Sequence, residues 1–297
     1  MSASVSLSET KCWFGGFARP HSEDVNESNR LAPASPSDIA AAAERIAEAL
    51  ASGVPCAPVR DLIGRDDLAA AYAVQDRLTE RRLAAGATVV GRKIGLTSEA
   101  VQRQLGVDRP DFGFLFDDMA YADGDTIPFD EVLQPRAEAE IAFVLGADLA
   151  DGPLTREQVA TAIAYGVPAL EICGSRIAGW DIGFGDTVAD NASAGAYVLG
   201  EQRLGLDQFD PVAVAMTMTV NGEEVSTGSG ADCLGDPVEA VVWLARTARE
   251  LGEPLRAGQV VLSGALGPMR PVAAGDTVTA TLSGLGAVTV RFGEGAA

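Results

Sequence analysis

Histidine is almost absent from this chain. Its 297 residues contain one, His21, in a polar stretch near the N-terminus. A folded body without imidazole excludes Ser-His-Asp and Cys-His nucleophilic catalysis, His-ligated zinc and the usual general base. Acid–base chemistry then falls to Asp, Glu, Lys, Tyr or Cys. Cysteine is sparse too. Cys12, Cys56, Cys173 and Cys233 are scattered with no CxxC pair, which excludes a zinc ribbon or a dithiol redox motif. Cys173 and Cys233 lie in or beside apolar or Gly-rich stretches and read as small buried residues in a reducing, cytoplasmic setting. No apolar run approaches the ~20 residues that span a bilayer, and the start lacks the basic and apolar regions of a secretory signal. Positive charge is also short: 22 Lys and Arg stand against 42 Asp and Glu, a formal net charge of −20. Such a surface repels phosphate backbones and anionic lipid heads, so neither nucleic acid nor a membrane is an expected partner. An anionic small substrate would need a local positive charge, such as a bound cation.

What is present suffices for a core: 47% of residues are hydrophobic and 22% are charged, close to globular averages. Residues 1–35 are rich in Ser, Glu and Asn, show no periodicity and read as a disordered extension. Ser37-Asp38 as an N-cap pair predicts a helix running to Ala51, stopped by Gly53. A second helix is predicted from Arg65 to Ala84, with Gly86 as its stop. The two make an N-terminal helical subdomain, residues 36–90. From 91 to 293 the pattern is mostly β. Strands are predicted over Val89–Leu96 (broken by glycine), Ala137–Leu145, Gly195–Leu199, Val212–Val220, Gln259–Ser263, Thr277–Leu282 and Ala287–Phe292. Helices over Arg156–Tyr165 and Pro237–Leu251 interrupt them. The fold class is α+β, a helical lead-in before a mixed β body.

The chemistry centres on Arg136–Leu145. Side chains alternate across a strand, so Glu138 and Glu140 share a face, with Cβ atoms ~6–7 Å apart. Two carboxylates that close repel when ionised and are costly to desolvate, and a cation between them removes both penalties. Alone, E-x-E reads equally well as a solvent-facing strand end. Glu171 shifts the balance as the single charge in the apolar run Val167–Cys173. The donor set is expected to be all oxygen, with no soft ligand nearby. That selects Mg²⁺ or Mn²⁺, leaving coordination positions for a 2-keto acid and a Lewis-acid role for the metal. Lys93, flanked by glycines and apolar residues, is a candidate base whose pKa burial and a nearby metal would lower, or else a surface lysine. The segment Pro110–Asp118 is a pocket wall or lid with Asp111 as proton carrier, or an ordinary turn with core aromatics. Asp186–Ser193 reads as a polar loop able to hydrogen-bond a carboxylate. Ser263–Met269 has glycines that permit close backbone approach. Ser193, Gly264 and Leu266 are the candidates these two stretches offer for substrate contact.

Together, Gly91–Thr97, Gln104–Asp108 with Pro110–Gly113, Gln134–Ile141, Pro168–Ile172, Asp186–Ser193 and Leu262–Met269 resemble the 2-keto-4-pentenoate hydratases of the fumarylacetoacetate hydrolase superfamily. The resemblance runs from about residue 38 to 293. It implies a mixed β-sandwich roll with a small N-terminal α/β lead. It also implies metal ligands at Glu138, Glu140 and Glu171, a proton-transferring Lys93, and Asp111 as its helper. The implied reaction is hydration of 2-hydroxypenta-2,4-dienoate to 4-hydroxy-2-oxopentanoate in meta-cleavage breakdown of aromatic compounds. The implied assembly is a homo-oligomer, with association to a decarboxylase or aldolase of the same pathway. Competing expectations are a 4-oxalocrotonate decarboxylase, a non-catalytic partner subunit, and, weakened by the missing histidine, an acylpyruvate hydrolase.

Overall fold

The computed structural model describes residues 33–98, 102 and 107–295. Most of the N-terminal extension, His21 and Gln104 lie outside the described residues. Helix α1 (Pro36–Ser52) starts at Ser35, two residues before the expected cap. The Ser35 hydroxyl accepts from the Asp38 N–H at 3.2 Å, and the Asp38 carboxylate accepts from the Ser35 N–H at 2.9 Å. Asp38 thus acts from inside the first turn, a reciprocal capping box. Gly53, at φ 70°, ends the helix. A short α2 (Arg60–Ile63) follows. Helix α3 (Leu68–Ala84) begins three residues later than predicted, because Asp67 caps it by accepting from the Ala70 N–H. Ala42, Ala43 and Ile46 of α1 pack with Ala70, Ala71 and Val74 of α3 in a small core that Val188 and Ala189, far along the chain, also join.

The remaining elements build two sheets. In chain order they are β1 (Val89–Gly95), β2 (Asp111–Phe116), β3 (Ala120–Ala122), β4 (Thr126–Ile127), β5 (Arg136–Leu145), α4 (Arg156–Ala162), β6 (Ile163–Cys173), α5 (Phe184–Ala189), β7 (Ala194–Leu199), β8 (Ala215–Val220), β9 (Glu223–Ser229), α6 (Pro237–Glu250), β10 (Val260–Ala265), β11 (Arg270–Pro271), β12 (Thr277–Leu282) and β13 (Gly286–Phe292). One sheet runs β2-β1-β10-β5-β6-β7-β3, with β11 beside β5; the other runs β4-β13-β12-β8-β9. The main apolar core draws on both, from Ile141 and Phe143 of β5 and Leu170 of β6 to Val278 of β12 and Val290 of β13. The α+β architecture expected from the sequence is the one adopted. No helix among the described residues is long and apolar enough to cross a membrane.

Several local expectations give way. Gly91 does not break β1. A Cβ there would lie 2.0 Å from the Val260 carbonyl oxygen, so the glycine lets β1 and β10 lie against each other. The helix predicted to Tyr165 ends at Ala162, and Ile163 opens an 11-residue strand. Its apolar run is too uniform for periodicity to separate helix from strand. Asp111–Phe116 is a strand buried at all six positions rather than a turn or lid. Asp186–Ser193 is no open polar loop: it contains most of α5 and a single 3₁₀ turn, Asn191–Ser193. Its polar groups are satisfied inward. Asp186 accepts from the Val59 and Arg60 N–H groups, both at 2.9 Å. The predicted strand at Val212 starts at Ala215, after a 3₁₀ turn over Pro211–Ala213.

Candidate active site

Antiparallel pairing of β5 with β6 places Glu138 directly opposite Glu171, and Glu140 opposite Ala169. Directly opposed residues share a face, so all three carboxylates emerge on one side of the sheet. Lys93 reaches that side from β1. It aligns with Leu262 of β10, which aligns with Ala142 of β5, in alternation with Glu140 and Glu138. Asp111 pairs with Gly95 on the neighbouring strand. A Cβ on Gly95 would stand 2.2 Å from Asp111 Oδ1 and 3.3 Å from Lys93 Nζ, so the missing side chain makes room for both. Lys93 is 3% exposed, Asp111 1%, Glu171 1% and Glu140 0%. Lys93 is therefore no surface lysine.

The lysine Nζ lies 3.2 Å from Glu171 Oε1 as an ion pair and donates a hydrogen bond to the Ala192 carbonyl at 2.9 Å. Both Glu171 oxygens, Glu140 Oε1 and Asp111 Oδ1 are buried without a hydrogen-bond partner among the described residues. The nearby Arg176 does not neutralise them. It is ion-paired to Asp190 and donates to the Gly174 and Ala194 carbonyls. Burial pushes the Glu140 carboxyl well above its usual range, and Glu171 and Glu138 push it further. The same causes, burial and then Glu171, raise Glu138. Burial raises Asp111 as well, against the pull of Lys93. For Lys93, burial favours a lowered pKa, the direction expected from sequence. The charge of Glu171 first, with those of Asp111 and Glu138, outweighs it and holds the ammonium well above its ordinary value. The expectation counted an ion on those carboxylates; with their charge uncommitted, the balance reverses.

Such a pocket of orphaned oxygens fits a divalent cation. Ligand atoms of Glu138, Glu171 and Cys173 all lie within 4.8 Å of one another. Cys173 Sγ therefore stands beside the carboxylate oxygens expected as donors. Cys173 stands two residues beyond Glu171, so alternation carries its thiol to the same face, a signal present in the sequence and missed. The thiol donates to Glu138 Oε2 at 3.5 Å. Burial, then Glu138 and Glu171, keep it protonated by raising its pKa well above the usual value. Glu140 stands outside this trio. Its Oε2 accepts from the Gly264 N–H at 2.8 Å. Gly264 lies in a bulge between Leu262 and Ala265, at φ 113°, and a Cβ there would clash with Thr97 Oγ1 at 2.3 Å.

The remaining candidates are placed differently. Ser193 is buried, with its hydroxyl 3.3 Å from that of Thr187. Leu266 is enclosed in the main core, and its N–H is spent on the Ala139 carbonyl at 3.0 Å. Ala192, which carries the lysine's acceptor, had no sequence signal. A cleft of about 430 Å³ lies between α1, α3 and β7, lined by Ile46, Leu50, Phe116 and Tyr121 among others, but not by the acidic cluster.

Residues 86–292 match the family model described as fumarylacetoacetate (FAA) hydrolase, C-terminal. A TodF product hydratase of Pseudomonas putida is 56% identical over 253 residues, covering 85% of this chain and 94% of its own. A 2-keto-4-pentenoate hydratase of Paraburkholderia xenovorans is 54% identical over 251 residues, covering 84% and 93%. Among solved structures, the 4-oxalocrotonate decarboxylase of Pseudomonas putida G7, complexed with magnesium and adipate, superposes with a TM-score of 0.83 at 34% identity. That match covers 89% of this chain and all of the other. The chain belongs to the fumarylacetoacetate hydrolase family, within the group that holds the 2-keto-4-pentenoate hydratases.

Proposed function

We propose that this protein is a metal-dependent hydro-lyase that adds water to 2-hydroxypenta-2,4-dienoate, giving 4-hydroxy-2-oxopentanoate. The observation that carries the reading is the facing pair of the half-buried Glu138 and the buried Glu171, set beside Lys93 and, among the described residues, without an arginine partner. Glu138, Glu140 and Glu171 would hold a Mg²⁺ or Mn²⁺ ion through their oxygens, with the Cys173 thiol beside them. When bound, that ion supplies Lewis-acid polarisation of a 2-oxo acid. Everything else falls to the chain's own groups. Ketonisation of the dienol removes the 2-hydroxyl proton and delivers one to C5. Hydration then places a hydroxyl on C4 and a proton on C3. Asp111 Oδ1, buried and without a hydrogen-bond partner among the described residues, would accept a proton. Lys93, held as an ammonium, is placed to supply one at Nζ. The sheet and the turn at Asn191–Ser193 enclose both and keep bulk water from protonating the intermediate at the wrong carbon. The same reading places the protein in a reducing cytoplasm as a homo-oligomer.

The decarboxylase likeness supports a second reading, decarboxylation of 4-oxalocrotonate. The higher identity to hydratases favours the first. Incubation with each acid, with and without Mg²⁺ or Mn²⁺, separates them. Loss of dienol absorbance without CO₂ release is expected. CO₂ release from 4-oxalocrotonate, with the dienol untouched, overturns the assignment.

A further inference from the structure

The acceptor that holds Lys93 belongs to an unusual piece of backbone. Asn191, Ala192 and Ser193 are three consecutive non-glycine residues with left-handed φ values of 53°, 49° and 55°. Asn tolerates that region, whereas Ala and Ser rarely enter it. Such a run persists only where its surroundings over-determine it. Here they do. The Asn191 side chain accepts from the Phe114 N–H at 2.8 Å and donates to the Phe114 carbonyl at 3.0 Å, so a side-chain amide pairs with β2 as a strand would. Gly113 leaves the space for this: a Cβ there would stand 2.3 Å from the Asn191 carbonyl oxygen. At the far end, the Ser193 N–H donates to the Asp190 carbonyl at 3.0 Å, and the Ser193 carbonyl accepts from the Gly174 N–H at 2.8 Å. Asp190 is itself gripped by Arg176.

The Ala192 carbonyl oxygen, in the middle of the turn, is aimed at Lys93 Nζ. An ammonium among carboxylates would otherwise settle onto the nearest of them. A fixed neutral acceptor sets its position, and its contact to Glu171 remains an ion pair, with both Glu171 oxygens free of hydrogen bonds among the described residues. We propose that Asn191 is a positioning residue: by pinning the turn to β2 it holds the Ala192 carbonyl where it orients Lys93 for proton transfer. The reaction named in this inference rests on the hydratase reading; the geometry does not.

The chain contains two lysines, Lys11 and Lys93, so a spectrum of protein labelled with ¹⁵Nζ-lysine carries two ammonium signals. Lys93→Met assigns the second by its disappearance. Asn191→Gly keeps a backbone free to adopt positive φ while deleting the grip on Phe114. In that variant the Lys93 signal is expected to shift or be lost to exchange, and kcat to fall about tenfold or more with KM little changed. Asn191→Asp keeps an acceptor for the Phe114 N–H and should fall between the two. Lowered thermal stability with kcat and the Lys93 signal both unchanged overturns the inference, because a merely structural turn behaves that way. If the glycine variant does not fold, the aspartate variant decides by the same two readings. If the wild type hydrates nothing, the functional reading falls, and the Lys93 signal alone decides whether Asn191 positions it.

Discussion

Strands β5 and β12 cross the interior of the same body, yet their inward faces differ in kind. β12 alternates Thr277, Thr279 and Thr281 with Val278, Ala280 and Leu282, and the apolar set is buried. β5 is buried on both faces from Ala139 to Phe143, and the face opposite Ala137, Ala139 and Ile141 carries the half-buried Glu138 and the buried Glu140. One face contributes to stability through burial alone. The other gives up that contribution and adds the desolvation of carboxyl groups, a burden proteins retain where chemistry requires it. The difference separates a sheet that holds the molecule together from one that does its work.

Four substitutions or conditions break or sharpen that contrast. The largest effect is expected at Glu171. Glu171→Ala should reduce hydratase turnover more than about a hundredfold, beyond what loss of a group supporting a ligand costs, while circular dichroism shows the fold intact. Full turnover would count against the site. Next, Lys93→Ala should spare metal binding, followed by calorimetry, and slow the reaction about 10²–10⁴-fold, the usual worth of a positioned proton carrier. An unchanged rate removes Lys93 from the mechanism. On the other sheet, Leu282→Ala should cost about 2–5 kcal/mol of stability in denaturant titration and leave turnover per folded molecule as it was. Falling turnover there would mean the sheets do not divide their labour.

The smallest expected effect is a pH dependence. Burial, and then Glu171, push Glu138 up to about 7 from an ordinary 4.5. The folded state therefore binds that proton more tightly than the unfolded state does. This contribution to stability is complete below the unfolded value and is lost as pH rises through the folded one. In metal-free protein, the melting temperature of wild type relative to Glu138→Gln should fall between about pH 5 and about pH 8. Mg²⁺ should restore most of it at the upper end, where protons no longer compete for the carboxylates. A flat difference would show that Glu138 is not desolvated.

The parts legible in the sequence are those set by local periodicity. The alternation that opens β5, from Arg136 to Glu140, and the helical runs of α1 and α6 are readable directly, and with them the shared face of Glu138 and Glu140. A lone charge in an apolar run marks Glu171 for the same reason. What strand register decides was out of reach: which residue stands opposite Glu138, or that Lys93 is carried to the same side by two intervening pairings. The polar stretch Asp186–Ser193 misleads because its carboxylates and amide are satisfied by partners far away in sequence, such as Val59 and Phe114. The exposed strand β9 begins with Glu223 and Glu224 and carries too little apolar patterning to stand out.

The bulge at Ser263–Gly264 has an evolutionary corollary. Because the Gly264 amide must meet Glu140 while Leu262 stays level with Ala142, one residue gained or lost between them would turn every later side chain of β10 to the opposite surface. Drift in this segment is therefore confined to swaps of side chain, such as one aliphatic for another at Val261. Length changes are pushed outward into the connection over residues 252–259, where the ruler that measures the distance to Glu140 is not disturbed.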